Sequence, residues 1–177
     1  LRTVKDLFVF SCYTGISYID MMLLSEESLV MGLDKRMWIA TKRQKTRNPV
    51  KIPLLSKALN IIKIYREDKR CQIYGTLFPK ISNQKVNAYL KEIAIAAGIQ
   101  KNLTFHMARH TFATTVTMTN GVPIETISKM LGHRKLTTTQ IYAKVIEQKV
   151  FDDMEILREK LEINKAPYKS KNTKRIH

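Results

Sequence analysis

The chain has 177 residues, 44% hydrophobic and 26% charged, with 31 Lys and Arg against 15 Asp and Glu for a formal net charge of +16. That apolar content excludes a disordered polybasic tail, and the length suits one well-buried core. Apolar runs such as Ile93 to Ala97 fall far short of the roughly 20 residues a membrane-spanning helix needs, and Cys12 and Cys71 show no CxxC spacing that would indicate a disulfide framework or thiolate metal site.

In chain order, Val4, Leu7, Phe8 and Phe10 predict a helix ended at Gly15, followed at once by a second with Tyr18, Met21, Met22 and Leu24 inside. Ser25-Glu26-Glu27 reads as a stop or a fresh start. Met37 to Ala40, a very basic turn from Arg43 to Pro49, and Val50 to Ile52 predict a β-hairpin. Leu55, Leu59, Ile62 and Tyr65 mark one amphipathic helix, and Val86, Leu90, Ile93 and Ala97 another. Thr104 opens a helix that carries Phe105, Ala108, Phe112, Ala113 and Val116 and ends at Asn120-Gly121. Pro123 opens the next, which ends at Gly132. Thr137 to Tyr142 is expected to be short and helical. Val150, Met154, Leu157 and Leu161 define a last amphipathic helix, and the Lys-rich stretch 164–177 has almost nothing to bury. The sum is mainly α with a small β-hairpin: one domain over 1–163, then a basic, disordered tail over 164–177.

The strong positive charge and a pI near 9.9 attract polyanions through long-range field and counterion release, so nucleic acid is the expected partner. A reducing cytoplasm is the expected location, with no membrane association. His106 and Arg109, three apart on a predicted helix, share one face. Guanidinium and imidazole together suit a phosphate, the first as a planar fork of donors and the second as a donor or proton carrier. His106 and His110 have zinc-like spacing, but no Glu stands beside His106 and the intervening Arg109 repels a cation, so no metal is expected. His110 is expected in the core behind the site.

The combination is more specific than any one residue. His106-Met107-Ala108-Arg109-His110-Thr111, then Leu131-Gly132-His133, then Thr138-Thr139-Gln140-Ile141-Tyr142, nine residues beyond His133, resembles the catalytic block of the tyrosine site-specific recombinases, the phage-integrase family. Tyr13-Thr14-Gly15-Ile16 resembles the family's first box, and Lys45, eight residues before Pro53, its mobile catalytic Lys. The resemblance implies the recombinase catalytic-domain fold and no cofactor. It implies that Tyr142 attacks a phosphate of double-stranded DNA to give a 3′-phosphotyrosyl link, with His106 assisting its proton, Arg109 and His133 neutralising charge, and Lys45 protonating the leaving oxygen. It also implies an N-terminal core-binding domain outside this segment, and a tetramer on DNA in which C-terminal helices are exchanged.

One position departs from the pattern: most of the family has Arg where Ser17 follows Thr14-Gly15-Ile16. Arg43, two residues before Lys45 and so on the same face of an extended strand, or less favourably Arg36, is the expected source of the missing cation. The Thr-Gly-Ile-Ser form is similar to integrases of mobile elements from Bacteroides-type bacteria. Lys42, Arg47, Lys51, Arg134, Lys135 and Lys144 are expected DNA-backbone contacts. Two other readings stand beside this one: a non-catalytic helix-turn-helix module over 105–131, and a nicking-closing enzyme of the type IB topoisomerase kind.

Overall fold

A computed structural model describes residues 1–143 and 147–163. Two compact units emerge, Leu1–Val145 and Ile146–His177. In the first, α1 (Arg2–Thr14) buries Val4, Leu7 and Phe10, and α2 (Tyr18–Met21) lasts one turn. A short 3-10 turn (Glu26–Ser28) leads into β1 (Leu29–Met31), β2 (Met37–Lys42) and β3 (Pro49–Pro53). Then come α3 (Ser56–Tyr65), α4 (Lys69–Tyr74), α5 (Asn83–Ala96) and α6 (Phe105–Thr111). A wide π turn (Phe112–Thr117) and a 3-10 turn (Met118–Asn120) separate α6 from α7 (Ile124–Leu131) and α8 (Thr137–Ala143). The second unit contains α9 (Glu147–Ile163); the expected basic tail 164–177 lies outside the described residues.

Mainly α with a small sheet is what the structure shows, in the order β1-β2-β3, antiparallel throughout. The expected hairpin is β2 and β3, in register through Ile39 opposite Ile52, both buried. Strand β1 was not expected, because three residues carry too little alternation to announce a strand. α4 is likewise a new element, capped by Asp68 and closed at Gly75. The core joins α1, α3 and α5: the Phe10 ring meets Phe78 edge-on with centroids 4.6 Å apart, amid Leu7, Ile62, Val86 and Leu90.

The helix expected from Thr104 to Asn120 is broken instead. Thr114 Oγ1 donates to the His110 carbonyl at 2.8 Å, and Thr117 Oγ1 reaches the Phe112 and Ala113 carbonyls at 2.8 and 2.9 Å. Such back-bonding hydroxyls compete with the regular ladder and widen it.

Gly15 ends α1 in the left-handed region, at φ 68°, with its amide donating to the Ser11 carbonyl at 2.8 Å. A Cβ there would collide with the Phe112 ring and lie 2.9 Å from Leu131 Cδ2. Backbone strain and overpacking coincide, so Gly15→Ala should cost at least about 2 kcal/mol, read as a lower midpoint in urea unfolding with an unchanged slope.

Candidate active site

Arg109 is 4% exposed. Its Nη1 donates to the Gly15 carbonyl at 2.5 Å, its Nη2 to the Leu131 carbonyl, and the same Nη2 lies 3.1 Å from His133 Nε2. Burial pushes the guanidinium down to about 10 and Arg43 pushes the same way, while Tyr142 and Asp20 oppose the shift. The side chain stays cationic at neutral pH. The two carbonyls belong to the ends of α1 and α7, which Gly15 and Gly132 terminate at φ 68° and 64°. Left-handed glycines thus free the last carbonyls of two helices for a cation.

Arg43 stands in the β2–β3 turn. β2 ends at Lys42, so Arg43 and Lys45 do not share a strand face as expected; the chain turns at once, with Arg43 N bonded to the Asn48 carbonyl at 2.9 Å. Both nevertheless line one cleft of about 340 Å³ with Ser17, Asp20, His106 and Arg109. The Arg43 side chain is 12% exposed; its Nε lies 3.4 Å from Asp20 Oδ2 and its Nη1 donates to the Leu131 carbonyl at 3.2 Å. Two guanidiniums therefore converge on one carbonyl. Arg36 sits in the β1–β2 turn, where its amide bonds Asp34, and does not line the cleft.

Ser17 caps α2: its hydroxyl donates to Asp20 Oδ2 at 2.6 Å and accepts from the Asp20 amide at 3.4 Å. The other oxygen of Asp20 accepts from the Gln44 amide at 2.8 Å. The turn is tied again where Thr46 Oγ1 and Asn48 Nδ2 donate to the Gly132 carbonyl at 3.1 and 3.4 Å, and where Arg134 Nη2 donates to the Thr46 carbonyl at 3.0 Å. The Lys45 side chain remains exposed.

His106 is exposed at the cleft, its pKa lowered first by partial desolvation and then by the neighbouring positive charges. Its ring meets His110 edge-on at 4.7 Å, and His110 meets Tyr142 in the same way at 5.0 Å. His110 thus lies between the cleft and the phenol instead of in the core behind them. Tyr142 is 4% exposed; burial raises its pKa, against the pull of Arg109 and Arg43. His133 is pushed down to about 4 by burial and by the same two cations, and its Nδ1 lies 2.8 Å from Thr139 Oγ1.

Of the expected backbone contacts, Lys42, Arg47, Lys51 and Lys135 are exposed, Arg134 is exposed but committed to Thr46, and Lys144 lies outside the described residues. Asp20 and Thr139 were not anticipated. The Ser17-x-x-Asp20 spacing signals a cap, and Thr139 falls on the same helical face as Tyr142.

The family model described as Phage integrase family matches residues 7–149, most of the chain. The chain belongs to the phage integrase family. Among curated relatives, tyrosine recombinase XerD of Staphylococcus saprophyticus is 31% identical over 159 residues, 84% of this chain and 51% of the relative. A tyrosine recombinase of Thermosipho africanus is 33% identical over 103 residues, 57% of this chain and 36% of the relative. The chain spans about half the length, or less, of these relatives. The fold is similar to that of XerA recombinase (TM-score 0.64, 23% identity, 94% of this chain and 64% of that one). It is also similar to that of XerH site-specific recombinase bound to palindromic difH substrate (TM-score 0.68, 19% identity, 88% and 46%). Among the described residues no helix is long and apolar enough to cross a membrane.

The low pKa of His133 gives this integrase-family domain a stability signature. The unfolded ring titrates near 6.5 and the folded one near 4, so across that window the unfolded chain takes up a proton that the folded chain refuses. Stability should fall as pH drops through that window. Urea unfolding at several pH values should show the decline, and His133→Asn should flatten it; an equally steep decline in the variant refutes the assignment.

Proposed function

We propose that this chain is the catalytic domain of a site-specific DNA recombinase or integrase that cuts double-stranded DNA through a 3′-phosphotyrosine intermediate. The observation that carries the reading is the convergence of Arg109, His133 and Arg43 on the Leu131–His133 corner, within electrostatic reach of Tyr142. A helix-turn-helix module has no use for two guanidiniums on one carbonyl. The Tyr142 oxygen bonds to phosphorus as the bond to the 5′-oxygen breaks; His106 assists the phenolic proton and Lys45 protonates the leaving oxygen. One phosphodiester is exchanged for another, and attack by a partner's 5′-hydroxyl on the same link completes strand exchange.

Arg43 supplies the cation that Ser17 cannot. Asp20 and the Leu131 carbonyl hold it beside Arg109, and two positive charges around one phosphate provide the electrostatic stabilisation on which phosphoryl transfer depends. Tyr142 and Arg109 are both 4% exposed, so attack requires α8 to yield when DNA binds. Lys42, Arg47, Lys51, Lys135 and Lys144 neutralise phosphates flanking the cut, and Arg134 reaches them once it leaves Thr46. The Thr-Gly-Ile-Ser box, similar to that of integrases of Bacteroides-type mobile elements, supports a mobile-element integrase working in the bacterial cytoplasm on nucleoid DNA. A core-binding domain precedes this segment in the whole protein, of which 1–163 is the catalytic part and 164–177 a basic tail. Phe151, Met154, Leu157 and Leu161 of α9 are 45–60% exposed, an apolar stripe fitted for exchange between subunits of a DNA-bound tetramer.

A pool of nicked duplexes, randomised around the nick and labelled at the 5′ end, tests the reading. The chain should become covalently attached to label, and Tyr142→Phe should abolish the adduct. Absence of any adduct with the unaltered chain overturns the assignment. Arg43→Ala should lower the cleavage rate at saturating DNA by about 100-fold or more, and Ser17→Arg in that background should restore part of it. A loss confined to DNA affinity would remove Arg43 from the reaction.

A further inference from the structure

His133 has two ring nitrogens and two different neighbours. Arg109 Nη2, at 3.1 Å from Nε2, can only donate. Nε2 must therefore offer a lone pair, and in the neutral ring the proton moves to Nδ1. From there it points at Thr139 Oγ1, 2.8 Å away. Thr139 is fully buried, and it stands three residues before Tyr142 on α8. The hydroxyl that can fix the tautomer is thus carried by the helix that carries the phenol.

We propose that Thr139 is a positioning residue that holds His133 in its Nδ1–H form, so that Nε2 accepts from Arg109 and orients the guanidinium relative to the Tyr142 helix. Neutralising charge on a phosphate, the task the resemblance implies for His133, needs a proton on Nε2; in this DNA-free arrangement Nε2 faces Arg109 instead, and His133 acts on that guanidinium. The relay runs from α8 through Thr139 to His133, at the end of α7, and on to Arg109 in α6. Its effect on rate rests on the DNA-cleaving reading above, whereas the tautomer does not.

The two parts can be tested separately. With 15N-labelled histidine in the free protein at neutral pH, long-range 1H–15N correlation distinguishes a protonated from a lone-pair ring nitrogen, and loss of its signals in His133→Asn assigns His133 among the four histidines. The unaltered chain should show a protonated Nδ1 and an unprotonated Nε2. Thr139→Val, nearly isosteric but unable to accept, should give a mixture of tautomers; Thr139→Ser should keep the original one. An Nε2–H ring in the unaltered chain, or an unchanged tautomer in Thr139→Val, overturns the proposal. In the nicked-duplex assay, Thr139→Val should cleave about tenfold more slowly at saturating DNA with unchanged affinity, the rate equivalent of one ordinary hydrogen bond, and Thr139→Ser should cleave near the normal rate. A shifted tautomer with an unchanged rate overturns the positioning role. If the unaltered chain forms no adduct at all, the cleavage reading fails, while the tautomer result still decides whether the relay exists.

Discussion

A guanidinium held by the carbonyl ends of two helices organises this protein. Arg109 takes the last turn of α1 through Gly15 and that of α7 through Leu131, and itself projects from α6. Burying a cation is costly unless its donors are matched, and here helix C-termini, with their partial negative charge, supply the acceptors. The arrangement has a structural corollary: the orientation of Arg109 is fixed by the protein's own backbone and not by a bound partner.

The second cation is held by a different device. Arg43 is anchored by a carboxylate, Asp20, which also accepts from Ser17 and from the Gln44 amide. One buried acid thereby fixes the hydroxyl that replaces the usual Arg, the guanidinium next to it and the backbone of the turn carrying Lys45. Gly132 completes the arrangement: a Cβ there would sit 2.8 Å from Arg43 Cδ and 2.6 Å from Val50 Cγ1, so the hairpin closes on α7 only because that residue has no side chain. The Lys45 side chain stays exposed, while the turn backbone is tied at both ends.

Much of the fold was legible in the sequence because long helices announce themselves by period: α1, α3, α5 and α7 each lie where their apolar spacing put them. The three residues of β1 and the six of α4 were too short to carry a period. The break after Thr111 was hidden for another reason, since the apolar spacing of Phe112, Ala113 and Val116 fits an ordinary helix and only the hydroxyl bonding of the threonines changes the ladder. At the site, His106, Arg109, Arg43 and Lys45 were named from the sequence and line one cleft. Asp20 and Thr139 were not named, because a carboxylate and a hydroxyl acquire meaning here through partners 23 and 6 residues away, at Arg43 and His133, and no local pattern encodes those contacts.

The wide turn after α6 has a wider bearing. Phe112 and Ala113 are both buried, as are Thr117 and Met118, so the widened segment is seated in the interior of the fold. The segment packs against α1 on one side and α8 on the other. It thus touches both the helix whose end holds the guanidinium and the helix that bears the phenol. Its own geometry is set by threonine hydroxyls and not by any ionisable group, so the alignment of this centre is answerable to uncharged residues of the kind that a survey of acids, bases and nucleophiles passes over.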